Sequence, residues 1–274
     1  MTLLPRLVVG AAVALLATTL PALANETLSQ TTTQNSNNTT TSSFEDENTS
    51  YVYDSAFQHA SGNIGLNQAD GQANMQQNLL YIDGGSNFAF TGNFGQSSSA
   101  DKNTDIQAIF GYNDNEIYDN AFENAQGRIG VNQASGNLNK QLNAAVIGDQ
   151  SGTNLAITAT QNIDHASNAS ILDYNTNYIN DNAFRYASGD IGVSQAAGNF
   201  NQQMNQLVVA TDAALVSSSQ TLRQTQSWNT FDSCAAYNDS EIYGNAFQHA
   251  SGNIGVNQAA GNGNQQANSA VVLH

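Results

Sequence analysis

The chain has 274 residues, with 22 aspartates and glutamates against only 6 lysines and arginines, which gives a formal net charge of −16 at pH 7. Proteins that bind nucleic acids carry a stripe of basic residues, so this balance excludes that class and argues against anionic membrane surfaces. A single cysteine, Cys234, rules out a disulfide framework within one chain.

The first 24 residues have the features of a secretion signal peptide. Arg6 gives a positive start, residues 7–20 are largely apolar, and Pro21 to Ala24 form a small-residue cleavage site. No other segment approaches the roughly 20 apolar residues of a membrane-spanning helix. The sequence therefore predicts an exported protein whose mature chain begins at Asn25 and contains no membrane span.

Residues 25–50 precede the patterned part of the chain. They are rich in serine, threonine, asparagine and glutamine, and their apolar residues show no periodicity. Such a composition buries too little apolar surface to offset the loss of chain entropy on folding. We expect a disordered leader here.

One motif then occurs four times. Its copies start at Ala56, Ala121, Ala183 and Ala246, so they are 65, 62 and 63 residues apart. Repetition at this scale is typical of one structural unit that is copied and stacked. We predict an all-β repeat domain over residues 51–274, either a β-solenoid or a stack of cross-β layers. Its units cover approximately residues 51–115, 116–177, 178–240 and 241–274.

Each copy predicts strands that are separated by glycine corners. Apolar residues alternate with other residues between two glycines, as Ile64 and Leu66 do in the first copy, which is the pattern of a strand. An Ala-Phe pair precedes this strand, and a strand with alternating amides follows it. Stacking of equivalent residues then gives phenylalanine columns (Phe57, Phe122, Phe184, Phe247), isoleucine columns (Ile64, Ile129, Ile191, Ile254) and amide columns (Asn74, Gln76, Asn78, Asn139, Gln141, Asn143, Asn201, Gln203, Asn205, Asn264, Gln266, Asn268).

The stretches between the copies are less alike. We expect one or two strands in each, built on residues 88–90, 155–158 and 215–216, with tolerant loops at residues 84–87 and 97–103. The mature chain has no proline, since both prolines of the sequence lie in the signal peptide. Proline interrupts the backbone ladder of a sheet, so its absence favours uninterrupted strands.

The amide columns are the strongest indication of function. An amide side chain both donates and accepts hydrogen bonds, so a column of identical amides can bond along its own axis beside the backbone ladder. The fourth copy is nearly the same as the first rather than a polar cap. Both ends of the stack are therefore expected to present open strand edges that recruit another chain.

The segment GNIGVNQAAGNGNQQAN and its three counterparts resemble the repeats of Fap-type functional amyloids, whose secreted fibre subunits carry imperfect Gly/Asn/Gln/Ala repeats between variable linkers. The resemblance implies export through an outer-membrane pore, assembly into fibres with itself and with other fibre subunits, and a role in adhesion and biofilm. Subunits of that family tend to carry a Cys-x-x-Cys pair near the C-terminus, whereas Cys234 is alone here. This departure leaves open whether the chain is a major or a minor subunit.

Metal, haem and catalytic sites find little support in the sequence. His59 and His249 lie at equivalent positions in the first and fourth copies, three layers apart, and are interpreted as exposed polar residues. Residues 113–116 and 238–241 offer oxygen ligands for calcium but match no calcium-binding pattern. No hydrolase or nucleotide-binding motif is present. We expect no cofactor, no metal site and no catalysis.

The sequence thus leads to one function and one alternative. We predict a secreted structural protein that assembles with copies of itself into amyloid-like fibres of the cell surface or the biofilm matrix. The alternative is a monomeric surface β-solenoid, either an adhesin or a binder of a ligand such as glycan or haem.

Overall fold

The structure, a computed structural model, describes residues 26–36, 40–71, 74–83, 89–148, 154–210, 217–227 and 230–273. In these ranges the chain forms β-strands and no helix, so no helix there could cross a membrane. The predicted signal peptide lies outside them. The strands are β1 (Glu26–Ser36), β2 (Thr40–Val52), β3 (Ser61–Asp70), β4 (Met75–Asp83), β5 (Ala89–Ile117), β6 (Gln126–Ser135), β7 (Lys140–Gly148), β8 (Asn154–Ile179), β9 (Ser188–Ala197), β10 (Gln202–Ala210), β11 (Ser217–Ser227), β12 (Thr230–Ile242), β13 (Ser251–Ala260) and β14 (Gln265–Leu273).

These strands form four rungs, each lying on the next. A rung is a long stretch of strand followed by two shorter strands: β1–β4 form rung 1, β5–β7 rung 2, β8–β10 rung 3 and β11–β14 rung 4. Equivalent strands pair in parallel from rung to rung. This gives the sheets β3-β6-β9-β13 (the inner sheet) and β4-β7-β10-β14 (the amide sheet), and a long-strand sheet centred on β5 and β8. The predicted all-β stacked repeat fold is confirmed, with one layer for each repeat.

The strands pair in register with their own copies. Ile64 pairs with Ile129, Ile129 with Ile191 and Ile191 with Ile254. The separation between paired residues equals the separation between the motif copies, so like residues meet at nearly every level. Because a slip of one residue would turn every side chain to the opposite face, the pattern of buried residues fixes this register.

The rungs begin earlier in the chain than the units drawn from the sequence. Strands β1 and β2 cover residues for which we expected a disordered leader, and both pair in parallel with β5. Apolar periodicity reports only strands that bury one apolar face. It does not reveal a polar strand whose backbone groups are paired by a neighbouring strand and whose β-branched threonines suit extended backbone.

The stretches between copies form the long strands of the following rung. Residues 97–103, expected to be a loop, belong to β5, and its pairing with β8 shifts register between Ser99 and Thr104. The irregularity is a bulge-like shift inside a strand rather than a loop between strands. Residues 84–87 and 215–216 lie outside the described ranges.

The apolar core lies between the ends of the long strands and the inner sheet. Ile117 and Ile179 close the long strands, and they pack with Phe122, Phe184 and the isoleucines of the inner sheet, all fully buried in rungs 2 and 3. A tight turn leads from the long strand to the inner sheet. Its first residue has positive φ in every rung (Asp54 57°, Asp119 57°, Asp181 54°, Gly244 68°), a conformation that aspartate and glycine tolerate better than most residues.

Candidate functional site

The amide sheet brings the twelve predicted amides together as three columns along the stack. Each strand of this sheet contributes one residue to each of two columns, and the residue just before each strand contributes to the third. The face that carries the amides packs against the inner sheet. The columns are Asn74, Asn139, Asn201 and Asn264 (the corner column), Gln76, Gln141, Gln203 and Gln266 (the glutamine column), and Asn78, Asn143, Asn205 and Asn268 (the asparagine column).

In the glutamine column each side chain donates to the side-chain oxygen one rung further along. The distances are 2.8 Å from Gln76 to Gln141, 2.9 Å from Gln141 to Gln203 and 3.0 Å from Gln203 to Gln266. The same amide group also reaches the inner sheet, as Gln203 Nε2 does when it donates to the Gln195 carbonyl at 2.6 Å. One side chain therefore joins both rung to rung and sheet to sheet.

The asparagine column runs in the opposite direction. Asn143 donates to Asn78 at 3.0 Å, Asn205 to Asn143 at 2.8 Å and Asn268 to Asn205 at 3.0 Å, always toward the preceding rung. Each amide again contacts the inner sheet, as Asn205 Nδ2 does when it donates to the Val193 carbonyl at 3.1 Å. Because the two columns point in opposite directions, the two ends of the stack present different groups.

The corner column bonds mainly to backbone, although Asn264 also donates to the side-chain oxygen of Asn201 at 3.0 Å. The side-chain oxygen of Asn74 accepts from the backbone N–H of Asn139 at 2.8 Å, and Asn139 and Asn201 accept in the same way from the next rung at 3.0 Å. The Asn74 amide also donates to the Gly136 carbonyl at 2.7 Å. These bonds supply partners where the chain turns and the regular ladder stops.

Burial makes these bonds necessary. Gln141 and Gln203 are fully buried, and Asn143 is 1% exposed. An unpaired amide at such a position costs about 1–3 kcal/mol. A displaced rung would leave several of them unpaired at once, so the columns enforce register with polar groups in addition to the apolar core.

The phenylalanine and isoleucine positions also form columns. Ring centroids in the phenylalanine column are 4.9, 4.8 and 4.9 Å apart, with interplanar angles of 7°, 1° and 1°. The isoleucines of rungs 2 and 3 are fully buried, whereas Ile254 in rung 4 is 38% exposed. The end rung therefore leaves apolar surface open that is covered in every inner rung.

Further amide columns lie outside the set of twelve amides predicted from the sequence. Gln133 donates to Gln68 at 3.0 Å, and the column continues through Gln195 and Gln258 at 2.8 and 2.7 Å. On the long strands a column joins Asn48, Asn113, Asn175 and Asn238 at 2.9, 2.9 and 2.8 Å. The spacings of 65, 62 and 63 residues were a sufficient signal, because extending the repeat alignment toward the N-terminus reaches these asparagines.

A glycine in each inner-sheet strand makes room for the asparagine column. A Cβ atom added at Gly192 would lie 3.0 Å from the side-chain oxygen of Asn143, and one at Gly130 would lie 2.5 Å from that of Asn78. Any larger residue would push the two sheets apart and break the bonds between them. The glycine in each Ile-Gly-Val or Ile-Gly-Leu triplet therefore belongs to the same site as the amides.

Two ion pairs join rung 2 to rung 3. Arg128 Nε lies 3.6 Å from Asp190 Oδ2, and Arg185 Nη1 lies 3.8 Å from Glu123 Oε1. Burial lowers the pKa of Arg128 to about 10 and raises the pKa of Asp190 above its usual range, although each opposes the effect on the other. Two guanidinium nitrogens of Arg128, Nε and Nη1, have no hydrogen-bond partner. Burying these charges and unpartnered nitrogens costs free energy of folding, which the attraction between the two residues offsets only in part.

Lys140 lies on the other face of the amide sheet, which varies in sequence from copy to copy. It shares its column with Met75 and Gln202, and all three are nearly or fully buried because β8 and β11 also contact this sheet. Burial lowers the pKa of Lys140 to about 7. Both faces of the amide sheet are thus inside the subunit.

The remaining candidate positions stay apart. His59 and His249 lie in the exposed turns of rungs 1 and 4, and His249 stacks on Tyr186 with centroids 5.0 Å apart. Residues 113–116 and 238–241 lie in strands, where asparagines and carboxylates alternate between faces and do not converge. Among the described residues no group of three or more histidines, cysteines, aspartates or glutamates is placed to hold a metal ion, and Cys234 is an exposed free thiol.

The two ends of the stack are open in the described part of the chain. Strands β3 and β4 of rung 1 and strands β13 and β14 of rung 4 are the edge strands of their sheets. No described strand pairs with their outer edges, so each presents a row of backbone N–H and C=O groups. The site assembled by the amide columns is therefore a ladder that ends at two exposed edges.

Comparison with known proteins agrees with this geometry. The family model described as "Functional amyloid protein FapB/FapC family" matches residues 9–108 and 94–273. The chain is 34% identical over 140 residues to a protein of Pseudomonas aeruginosa strain PAO1 named functional amyloid subunit FapC, and the match covers 47% of this chain and 39% of that protein. No solved structure matches the chain. The family model matches most of the sequence, and stacked amide columns with open edges are consistent with that match. The chain belongs to the FapB/FapC family of functional amyloid proteins.

Proposed function

We propose that this protein is a secreted, non-catalytic building unit that assembles with copies of itself into amyloid-like fibres of the cell surface or the biofilm matrix. One observation carries the proposal. Every rung is held by pairing with a near-copy of itself, and rungs 1 and 4 each have one edge on which no described strand of the subunit supplies that partner. A second copy supplies it, since its rungs present the same columns.

Other features of the chain support export and a role outside the cell. The predicted signal peptide at residues 1–24 directs the chain out of the cytoplasm, and we expect an outer-membrane pore and other fibre subunits as further partners. A mature net charge of 5 − 22 = −17 keeps single chains apart by self-repulsion during export. Adhesion and biofilm are the roles that exposed fibres would serve.

The test uses residues 25–274 purified under denaturing conditions and then diluted. A fibre subunit shows a lag that shortens with concentration and disappears when preformed fibres are added as seeds. Fibre diffraction then gives a meridional reflection near 4.7–4.8 Å, the spacing of stacked strands. A chain that folds but stays a monodisperse monomer at high concentration for weeks would overturn the proposal and favour the alternative, a monomeric surface β-solenoid.

A further inference from the structure

We propose that two copies join head to tail, with rung 4 of one chain on rung 1 of the next, and that columns of alternating acid and hydroxyl groups on the outer face of the stack select this junction. The inference rests on the proposed fibre assembly and adds which surfaces meet and in which register. The occupant of each open edge is therefore a second copy of this chain.

The acid–hydroxyl columns lie at the ends of the long strands. In both of them the carboxylates occur in rungs 2 and 4, and the hydroxyl groups occur in rungs 1 and 3. Carboxylates of one column are thus two rung spacings apart, about 9–10 Å, and a neutral hydroxyl group lies between them. The columns are Thr49, Asp114, Thr176 and Asp239, and Tyr51, Glu116, Tyr178 and Glu241.

Hydroxyl groups bind the carboxylate of Asp114 from both sides. Asp114 accepts a hydrogen bond of 2.8 Å from Tyr51 in the rung before it and one of 2.5 Å from Thr176 in the rung after it. Asp239 accepts the corresponding bond of 2.9 Å from Tyr178 in the rung before it. The rung after Asp239 belongs to the next subunit. In a head-to-tail junction Thr49 of that subunit takes the position that Thr176 has beside Asp114.

Only one kind of junction preserves this alternation. Because the period is two rungs and the subunit has four, rung 4 on rung 1 continues both columns without placing acids in contact. A junction between two rung 4 faces would instead bring Asp239 and Glu241 of both copies to one interface. Like charges opposite one another on paired strands are destabilising.

The inner part of the stack favours the same junction. In the described ranges the ion pairs lie between rungs 2 and 3, and the equivalent residues of the end rungs are neutral amides. Residues 56–69 and 246–259 differ only at Leu66 and Val256. A head-to-tail junction therefore places Gln248 on Gln58 and Asn253 on Asn63, so identical amides meet at the junction.

Disulfide trapping tests the register. Ser61 and Ser251 are exposed residues of one column, linked through Gln126 and Ser188. In a Cys234→Ser background, one protein carries Ser61→Cys and the other Ser251→Cys, and the two are mixed, assembled and oxidised. The head-to-tail junction gives the 61–251 link between chains as the main product, and only in fibres, because a disulfide needs Cα atoms within about 7 Å.

An offset pair is the matched control. Ser61→Cys mixed with Asn253→Cys displaces one cysteine by two residues along β13, so the cross-link is lost. Homodimers linked 61–61 or 251–251, or equal yields from the offset pair, would overturn the head-to-tail register while fibre formation itself still stood. If the native chain forms no fibres, the proposed function fails before the junction is tested.

A second measurement addresses the selection of the junction. Thr49→Asp places a carboxylate against Asp239 of the neighbouring copy and also against Asp114 of its own subunit, whereas Thr49→Ser keeps the hydroxyl group. Thr176→Asp, whose carboxylate faces Asp114 and Asp239 inside its own subunit only, controls for the internal repulsion and should elongate faster than Thr49→Asp. We expect Thr49→Asp to add more slowly to native fibre seeds, with the loss relieved by added salt because screening weakens repulsion. Thr49→Ser should elongate at the native rate. Equal elongation rates for the two Thr49 variants would show that the acid–hydroxyl columns do not select the junction.

Discussion

The side-chain amide of Gln141 donates to the side-chain oxygen of Gln203 at 2.9 Å and, through the same nitrogen, to the backbone carbonyl of Gln133 at 2.5 Å. The first bond joins two rungs, and the second joins two sheets. Gln141 is fully buried, so both bonds form where water cannot replace them. The amide columns therefore hold the stack along its axis and across its width at once.

Charge introduced into these columns at the rung 4 edge should slow assembly. Gln266→Glu combined with Asn268→Asp replaces two amide donors by carboxylates within columns that meet a second copy. We expect a loss of about 1–3 kcal/mol for each subunit added, and seeded elongation at least roughly ten times slower. Elongation from native seeds, followed by thioflavin fluorescence, measures the effect.

The matched control is His249→Asp with Ser251→Asp. It adds the same charge to rung 4 at exposed positions outside the columns, and the equivalent positions Tyr186 and Gln126 are exposed in the inner rungs as well. We expect this variant to elongate considerably faster than the column variant. Equal slowing by both variants would mean that net charge alone, and not the amide columns, governs growth.

The Arg128–Asp190 pair should show strong coupling between its two residues. Arg128→Asn leaves a partly buried carboxylate without its cation, and we expect a loss of roughly 3 kcal/mol in stability. Asp190→Asn leaves the buried guanidinium and should also destabilise. The double variant makes the column asparagine in all four rungs, as it already is at Asn63 and Asn253, and should recover most of the loss.

A double-mutant cycle on guanidinium midpoints of the assembled protein measures this coupling. Additive losses in the double variant would contradict the pairing. The result would then indicate that each side chain contributes through contacts of its own.

Lys140 should make stability depend on pH. Burial lowers its pKa to about 7, so below that pH the folded state carries the full cost of a buried ammonium group. Between about pH 7 and 10 the folded state releases the proton while the unfolded chain keeps it, so stability increases with pH across this window. Denaturation midpoints taken from about pH 6 to 9 test the direction.

Lys140→Met is the control for that dependence, because Met75 occupies the same column in rung 1. The variant should be more stable than the native protein near neutral pH, and the part of the pH dependence that Lys140 causes should disappear. An unchanged slope in Lys140→Met would show that other groups produce it.

Two glycines with the same backbone conformation should respond differently to alanine. Gly62 and Gly71 both have φ of +98°, but a Cβ at Gly71 would lie 2.0 Å from the Gly136 carbonyl, whereas a Cβ at Gly62 meets nothing within 4 Å. Gly71→Ala should therefore disrupt the subunit. Gly62→Ala should leave it folded, with a backbone strain of about 1–3 kcal/mol.

The consequence of Gly62→Ala should appear only at the junction. A Cβ at Gly127 would lie 2.3 Å from the Gly62 carbonyl of the rung before it, and the same contact places a Cβ at Gly62 against Gly252 of the preceding subunit. A small fraction of Gly62→Ala protein should then block growth at one fibre end, as seen by two-colour microscopy of seeded fibres. Undiminished growth at both ends would argue against rung 4 meeting rung 1.

Much of the fold followed from local patterns. The repeat spacing predicts the stack of like rungs, and the alternation of Asn74, Gln76 and Asn78 predicts three amides on one face of the chain. The long strands did not follow in the same way. Strands β1 and β2 have no apolar pattern, and only their pairing with β5 accounts for their extended structure. Their partner lies more than 60 residues away in the chain, beyond the reach of any local signal.

The sequence by itself determined which residues are equivalent, because four copies at nearly constant spacing can satisfy their backbone and amide groups together only when they are stacked in register. Tertiary structure alone decided what each column contacts. It placed the amides against the inner-sheet carbonyls and buried Lys140. These outcomes depend on how three sheets pack around one another, and packing is a property of the assembled rungs rather than of any single copy.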